Sequence, residues 1–158
     1  MLYFAYGSNM HAAQIEKRCP SARLLGKARL DDYRLAFTRE SVTNWPGCGV
    51  ADVLPDKGAH VWGALFEIAD ADIPSLDRLE GYNPKRAKNA YERIEVRVNK
   101  EGDPAAQTPA QTYVVCERIE PNPLPHPHYL ARIVSGAEWI QAPAEYIAEL
   151  RKIEVKKG

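Results

Sequence analysis

The sequence predicts an α+β fold: a closed or nearly closed antiparallel barrel with helices packed outside it. Three observations lead there. Period-two alternation of apolar and polar residues recurs in segment after segment between Leu2 and Cys116. One segment, Val61 to Ile68, is apolar on both faces, as a central strand must be. Helical spacing is confined to short stretches until two amphipathic segments close the chain.

The elements follow in order. Met1-Leu2-Tyr3-Phe4-Ala5-Tyr6 is an apolar, aromatic run fit for a buried strand, and Gly7-Ser8-Asn9 stops it. Ala12, Ile15 and Cys19 then fall at helical spacing, which predicts a helix over His11 to Arg18. Asn9 or Ser8 would cap it, and Pro20 would end it. Ala22, Leu24, Gly26, Ala28 and Leu30 share one face, and Tyr33, Leu35 and Phe37 share another. The polar Asp31-Asp32 break between them suggests two strands paired with each other. Asn44 to Gly49 is a loop entering a strand over Val50 to Leu54, and Asp56-Lys57-Gly58 turns the chain into the central strand.

A short helix is expected from Asp72 to Leu79, with Pro74 in its first turn and Gly81 as its stop. Arg93 to Val98 reads as a strand with Ile94, Val96 and Val98 inward, and Thr112 to Cys116 as another. Gly102 to Pro109 is expected as a loop, and Pro121 to Pro127 as a proline-studded crossing strip. Tyr129, Leu130, Ile133 and Val134 mark one helix. Tyr146, Ile147, Leu150 and Ile153 mark the last, opened by Pro143.

Composition narrows the function. A chain of 158 residues, 45% apolar and 27% charged, suits one globular domain over 1–158 with a real core. Its 21 basic and 21 acidic side chains cancel and are interspersed, which excludes nucleic acid and anionic membrane as partners. No apolar run approaches a membrane span and no leader pattern precedes the first strand, so the expected location is cytoplasmic. Cys19, Cys48 and Cys116 are odd in number and widely spaced, and are expected as small buried residues without a disulfide. His126 and His128 flank a proline without the companions of a metal motif. The oligomeric state is not written in the sequence, which is compatible with a homodimer.

Two features bear on chemistry. A strand that breaks at glycine and opens a helix aims bare amides and a positive dipole end at one spot, a site for an anion, although Gly-Ser-Asn is also ordinary turn and cap chemistry. Glu80 sits at the other kind of helix end, beside free carbonyls where the dipole disfavours a carboxylate. On open surface, water screens that cost. If partly buried, Glu80 would have a raised pKa and could act as base and then acid. Amides for a carboxylate and a basic glutamate together suit a small zwitterion whose amine must lose a proton. No nucleophile elbow and no phosphate loop competes.

In order and spacing, several segments then combine. They are Tyr6-Gly7-Ser8-Asn9, Asn44-Trp45-Pro46-Gly47-Cys48-Gly49-Val50-Ala51, Val61-Trp62-Gly63, Leu76-Asp77-Arg78-Leu79-Glu80-Gly81-Tyr82, Tyr91-Glu92-Arg93-Ile94-Glu95-Val96 and Pro127-His128-Tyr129. On these the chain resembles the gamma-glutamylcyclotransferase family over most of its length. The resemblance implies a small mixed, mainly antiparallel barrel with flanking short helices. It also implies closure of a gamma-glutamyl amide to 5-oxoproline with loss of an amine. Glu80 is then the acid/base. Tyr3, Phe4, Ala5, Tyr6, Gly7, Ser8 and Asn9 wall the pocket, the amides near Gly7 and Ser8 hold the glutamyl α-carboxylate, and Tyr91 and Tyr129 line the site. The reaction is intramolecular and calls for no metal or other cofactor.

Two departures set further expectations. Strict alternation puts Tyr91 on the face of Arg93, Glu95 and Arg97, so it reaches the pocket by preceding the regular strand or through a bulge. Glu138 to Pro143 lacks a glycine before the last helix, and Trp139 is placed to crowd the leaving group. The alternatives are a hydrolase or cyclase that removes a gamma-glutamyl group in an amine pathway, and a catalytically silent binding module. Glutathione-specific relatives typically carry leucine where this chain has Asn9.

Overall fold

The computed structural model describes residues 1–158. It contains strands β1 (Leu2–Ala5), β2 (Arg23–Glu40), β3 (Gly49–Glu67), β4 (Tyr91–Lys100) and β5 (Gln107–Val115). Its helices are α1 (Ala12–Arg18), α2 (Ile73–Leu79), α3 (Pro127–Trp139) and α4 (Ala144–Arg151). The strands close a barrel in the order β1-β3-β2-β4-β5. Every pairing is antiparallel except the seam of β1 with β5, a single parallel pair, Tyr3 with Gln111. Two side chains reinforce that seam: the Thr112 hydroxyl donates to the Phe4 carbonyl at 2.8 Å, and the Tyr6 hydroxyl donates to the Tyr113 carbonyl at 2.5 Å. No helix is long and apolar enough to cross a membrane.

The alternating segments on either side of Asp31-Asp32 do not pair with each other. They are halves of one bent strand, β2, and both pair with β3. Asp32 takes the left-handed conformation (φ 63°) at a register shift between Asp31 and Tyr33, and its carboxylate accepts from the Gly58 N–H at 3.0 Å. The two polar breaks, Asp31-Asp32 and Asp56-Lys57-Gly58, therefore face each other across one long hairpin. They bend it where each was expected to turn the chain back. The expected loop from Gly102 to Pro109 is shorter than the sequence suggests, because β5 begins at Gln107 after a single 3-10 turn, Pro104–Ala106.

The central part of β3 is buried as expected, with Val61, Ala64, Leu65 and Phe66 at 1% exposure or less. Val96 and Val98 of β4 join the same core, and Ile94 packs at its edge. Cys19 and Cys48 are buried, but Cys116 follows the end of β5 and is exposed, so it is not the small core residue expected. All three are free thiols. Between α3 and α4 the chain turns without glycine: Gln141 itself adopts φ 58°.

Candidate active site

Glu80 is the C-cap of α2. The Tyr82 N–H donates to the Asp77 carbonyl and the Gly81 N–H to the Arg78 carbonyl, with Gly81 at φ 63°. This Schellman closure requires a residue tolerant of the left-handed region at position 81, and it fixes where the Glu80 side chain leaves the helix. The carboxylate is partly buried and turned toward the barrel mouth, where Asn9 Nδ2 donates to its Oε1 at 3.1 Å. Burial pushes Glu80 up to about 7, against the Arg18 charge and the Asn9 hydrogen bond, which both favour the carboxylate.

Asn9 holds this corner together. Its Nδ2 also donates to the Tyr3 hydroxyl at 2.9 Å, while its Oδ1 accepts from Arg18 at 2.9 Å and Gln14 at 3.1 Å. All four hydrogen-bonding positions of the buried amide are thus used, so its orientation is determined. Neither Ser8 nor Asn9 caps α1, contrary to expectation. A 3-10 turn, Ser8–Met10, comes first, and His11 is the residue that precedes α1. Ser8 and Asn9 are spent instead on Gln14, Arg18 and Glu80.

The backbone N–H groups of Gly7, Ser8 and Asn9 donate to no protein acceptor. An anion site here therefore rests on three bare amides, with little from the dipole of a three-residue turn. Gly7 has φ −107°, so space rather than a left-handed backbone explains the glycine. A Cβ there would lie 3.2 Å from the Ala51 Cβ and 3.7 Å from the Tyr129 hydroxyl.

Tyr3, Tyr6, Gly7, Ser8, Asn9, Glu80, Tyr91 and Tyr129 surround one cavity of about 200 Å³ at the barrel mouth. That is room for a dipeptide-sized ligand rather than a drug-sized one. Phe4 and Ala5 are not among the residues around it. Both are buried in the core, 0% and 1% exposed. Tyr91 reaches the cavity because it is the first residue of β4, at the rim. Its hydroxyl donates to the Ala51 carbonyl at 2.8 Å. Tyr129 meets the N–H side of the same residue, accepting from the Ala51 N–H at 3.0 Å. Burial pushes the Tyr129 hydroxyl up to about 12, so it stays a neutral donor at ordinary pH.

Trp139 does not crowd the site. It lies at the far end of α3, stacks on Phe66 with ring centroids 6.3 Å apart, and is 44% exposed. Several residues around the cavity escaped the sequence reading: Gln14, Arg18, Arg39, Trp45, Tyr113 and Arg132. Spacing carries a signal for three of them. Gln14 and Arg18 are four apart on α1, and Arg132 is three beyond Tyr129 on α3, so each shares a face with a partner at the site. Arg39 and Trp45 carry no such signal. His126 accepts from the His128 N–H and stacks on Trp45, and no group of three or more acidic, histidine or cysteine side chains could hold a metal.

The whole-chain comparisons agree with one another. A family model described as "Gamma-glutamyl cyclotransferase, AIG2-like" matches residues 3–141. The human protein named Gamma-glutamylcyclotransferase is 34% identical over 157 residues, covering 97% of this chain and 78% of the relative. The mouse protein of the same name is also 34% identical, with the same coverage. A solved structure titled "Gamma-glutamyl cyclotransferase" superposes with a TM-score of 0.88 at 31% identity, over 100% of this chain and 90% of that one.

Proposed function

Because the chain belongs to the gamma-glutamyl cyclotransferase, AIG2-like family, we propose that it cyclises a gamma-glutamyl amide to 5-oxoproline and a free amine, with Glu80 as the one acid/base. The observation that carries this reading is the meeting of Glu80, at about 7, with the unpaired amides of Gly7, Ser8 and Asn9 across one small cavity. The three amides suit the glutamyl α-carboxylate. Glu80 takes a proton from the α-ammonium group, and the freed amine attacks its own γ-carbonyl. The tetrahedral intermediate collapses as Glu80 returns a proton to the departing nitrogen. One C–N bond forms and one breaks: of the two protons the α-nitrogen sheds on becoming a ring amide, Glu80 passes one to the departing nitrogen, and the other leaves with the released amine as ammonium or goes to water.

Ring closure is intramolecular, so holding the bent conformer supplies much of the acceleration; well-oriented cases reach effective molarities of about 10⁵–10⁸ M. The developing oxyanion needs a donor, and the hydrogen-bond pattern favours Tyr129 over Tyr91. Tyr91 spends its proton on the Ala51 carbonyl, whereas Tyr129 accepts from the Ala51 N–H and donates to no protein acceptor. No cysteine is among the residues around the cavity, and burial pushes the Cys19 thiol up to about 11.

The test is product analysis with a panel of gamma-glutamyl amino acids and amines, on wild type and Glu80→Gln. The expected result is release of 5-oxoproline by wild type and a loss of about 10²–10⁴-fold in turnover for the variant. Free glutamate as the product would replace the reading with hydrolysis. Glu80→Gln turnover within threefold of wild type would remove Glu80 from the chemistry.

A further inference from the structure

Helix α2 presents Glu80 from its C-terminal end, yet little apolar contact holds that helix to the barrel. Of its seven residues only Leu76 is buried, and Leu79, the neighbour of Glu80, is 52% exposed. A helix this short has no stability of its own, so tertiary contacts must fix its last turn. One side chain in that turn supplies them. The Asp77 carboxylate accepts from the Tyr113 hydroxyl at 2.5 Å, and from Arg93 Nη1 at 3.3 Å to Oδ1 and 3.4 Å to Oδ2.

The two donors act as a pair. Arg93 of β4 and Tyr113 of β5 are direct partners in the antiparallel register, so their side chains leave the sheet on one face and converge on one carboxylate. The Arg93 guanidinium also lies 5.7 Å over the ring of Tyr82, which follows the Glu80-Gly81 turn and sits 6.5 Å from the Tyr113 ring. Burial and the Asp77 bond push the Tyr113 hydroxyl up, so it keeps its proton for Asp77. Tyr113 in turn packs edge-on against Tyr3, with centroids 5.8 Å apart, and Tyr3 accepts from the same Asn9 amide that bonds Glu80. Glu80 is thus gripped twice. Asn9 holds its carboxylate, and Asp77, one turn back on the same helix face, holds the backbone that presents it.

We propose that Asp77 is a positioning residue for the acid/base: it clamps the last turn of α2 to the β4–β5 pair through Tyr113 and Arg93, and so keeps Glu80 within reach of the substrate amine. Asp77 is not among the residues around the cavity, so it acts through Glu80 and not on the substrate. Burial, Arg18 and Asn9 set the protonation of Glu80, and Asp77 sets its place. This inference rests on the reading of Glu80 as the acid/base and adds the support that the reading needs.

The experiment measures kcat, KM and their pH dependence for 5-oxoproline release, using the gamma-glutamyl compound that wild type turns over fastest in the panel above. The variants are Asp77→Ala, Asp77→Asn, Tyr113→Phe, Asp77→Ala/Tyr113→Phe, Glu80→Gln and Glu80→Gln/Asp77→Ala. Asp77→Ala should lower kcat by about 10–100-fold, the upper figure being the cost of a displacement of about 1 Å. KM should stay within threefold, because the amides of Gly7, Ser8 and Asn9 belong to another element. The acid limb should move to lower pH as water reaches Glu80. Asp77→Asn keeps an acceptor for Tyr113 and should recover most of kcat. Tyr113→Phe should show the same split, and the double variant should be no worse than Asp77→Ala, since both changes remove one bond. On the Glu80→Gln background, Asp77→Ala should alter the residual turnover by less than threefold. An equal loss with and without Glu80, or a loss shared between kcat and KM, would overturn the inference in favour of a purely structural role. So would an Asp77→Ala kcat within threefold of wild type. If Asp77→Ala does not fold, an unchanged kcat and acid limb in Tyr113→Phe would overturn it instead. Full activity in Glu80→Gln would remove the acid/base reading and this inference with it, a result distinct from failure at Asp77 alone.

Discussion

A single carboxyl group carries most of the argument at the scale of residues, and its environment has measurable consequences. Glu80 is held at about 7 by burial, against an ordinary value of 4.5. The folded state therefore keeps its proton after the unfolded state has lost it. The stability linked to the protonated form is complete below about pH 4.5 and is lost as pH rises through about 7. Glu80→Gln removes this dependence. Its Tm should match wild type near pH 4.5 and exceed it by roughly 6–12 °C at pH 8, reflecting about 3 kcal/mol. Equal Tm differences at both pH values would mean that Glu80 is not perturbed. Activity moves the opposite way, because the base must be ionised, so kcat/KM should climb toward pH 7. Asn9→Ala strips the donor that favours the carboxylate and should shift this acid limb to higher pH. A limb left in place would show that Asn9 merely supports the fold. The helix-end position of Glu80 was legible in the sequence. The network that tunes it was not, because Asn9 and Glu80 are 71 residues apart and nothing local announces their contact.

At the scale of elements, the sequence located strands and helices well and misjudged how they connect. Alternation marks a strand's faces but is silent about its partner, so the polar breaks in β2 and β3 read equally well as hairpin turns and as bends. Only the register, which places Leu30 opposite Val61 and Tyr33 opposite Pro55, shows one continuous hairpin. Helix placement depends on a similar long-range fit. Gly136 lets α3 lie against the Ser8–Met10 turn, where an added Cβ would come within 2.4 Å of the Met10 Cβ and 2.7 Å of its backbone carbon. Gly136→Ala should therefore lever α3 away from the turn, costing about 1–3 kcal/mol as overpacking and separating Tyr129 from the bare amides. A combined fall in Tm and in kcat/KM is the expected result. Trp139→Ala, on the same helix but remote from the cavity, should lower stability modestly while kcat/KM stays within threefold. If Trp139→Ala instead changed leaving-group preference, the placement of Trp139 outside the site would be wrong.

For the whole molecule, the question is how a barrel with short seams stays closed around its mouth. The β1–β5 seam has one residue pair and the β2–β4 seam two, so backbone ladders alone close it weakly. Asp52 supplies a tie that the strand order does not. Its fully buried carboxylate accepts from the Thr38 hydroxyl on β2 at 2.8 Å, from its neighbour Val53 N–H at 2.9 Å and from the Val115 N–H at the end of β5 at 3.1 Å. Arg118 Nε adds a fourth bond, at 2.7 Å. β3 and β5 are not neighbours in the barrel, so this one side chain links strands across its end. It does so one residue from Ala51, the peptide that positions Tyr91 and Tyr129. Removing the carboxylate leaves several buried donors unpaired, and Asp52→Ala should cost about 3–5 kcal/mol, the range for breaking one side of a buried charged pair. Asp52→Asn keeps an acceptor but confronts Arg118 with an amide, and should fall between Asp52→Ala and wild type. Arg118→Ala should cost least, because its side chain is 39% exposed and three donors to Asp52 remain. Urea denaturation with an unchanged m-value would report this order directly. An Asp52→Ala protein within 1 kcal/mol of wild type would show that the strand ladders close the barrel unaided, and that the tyrosine pair owes its placement to them.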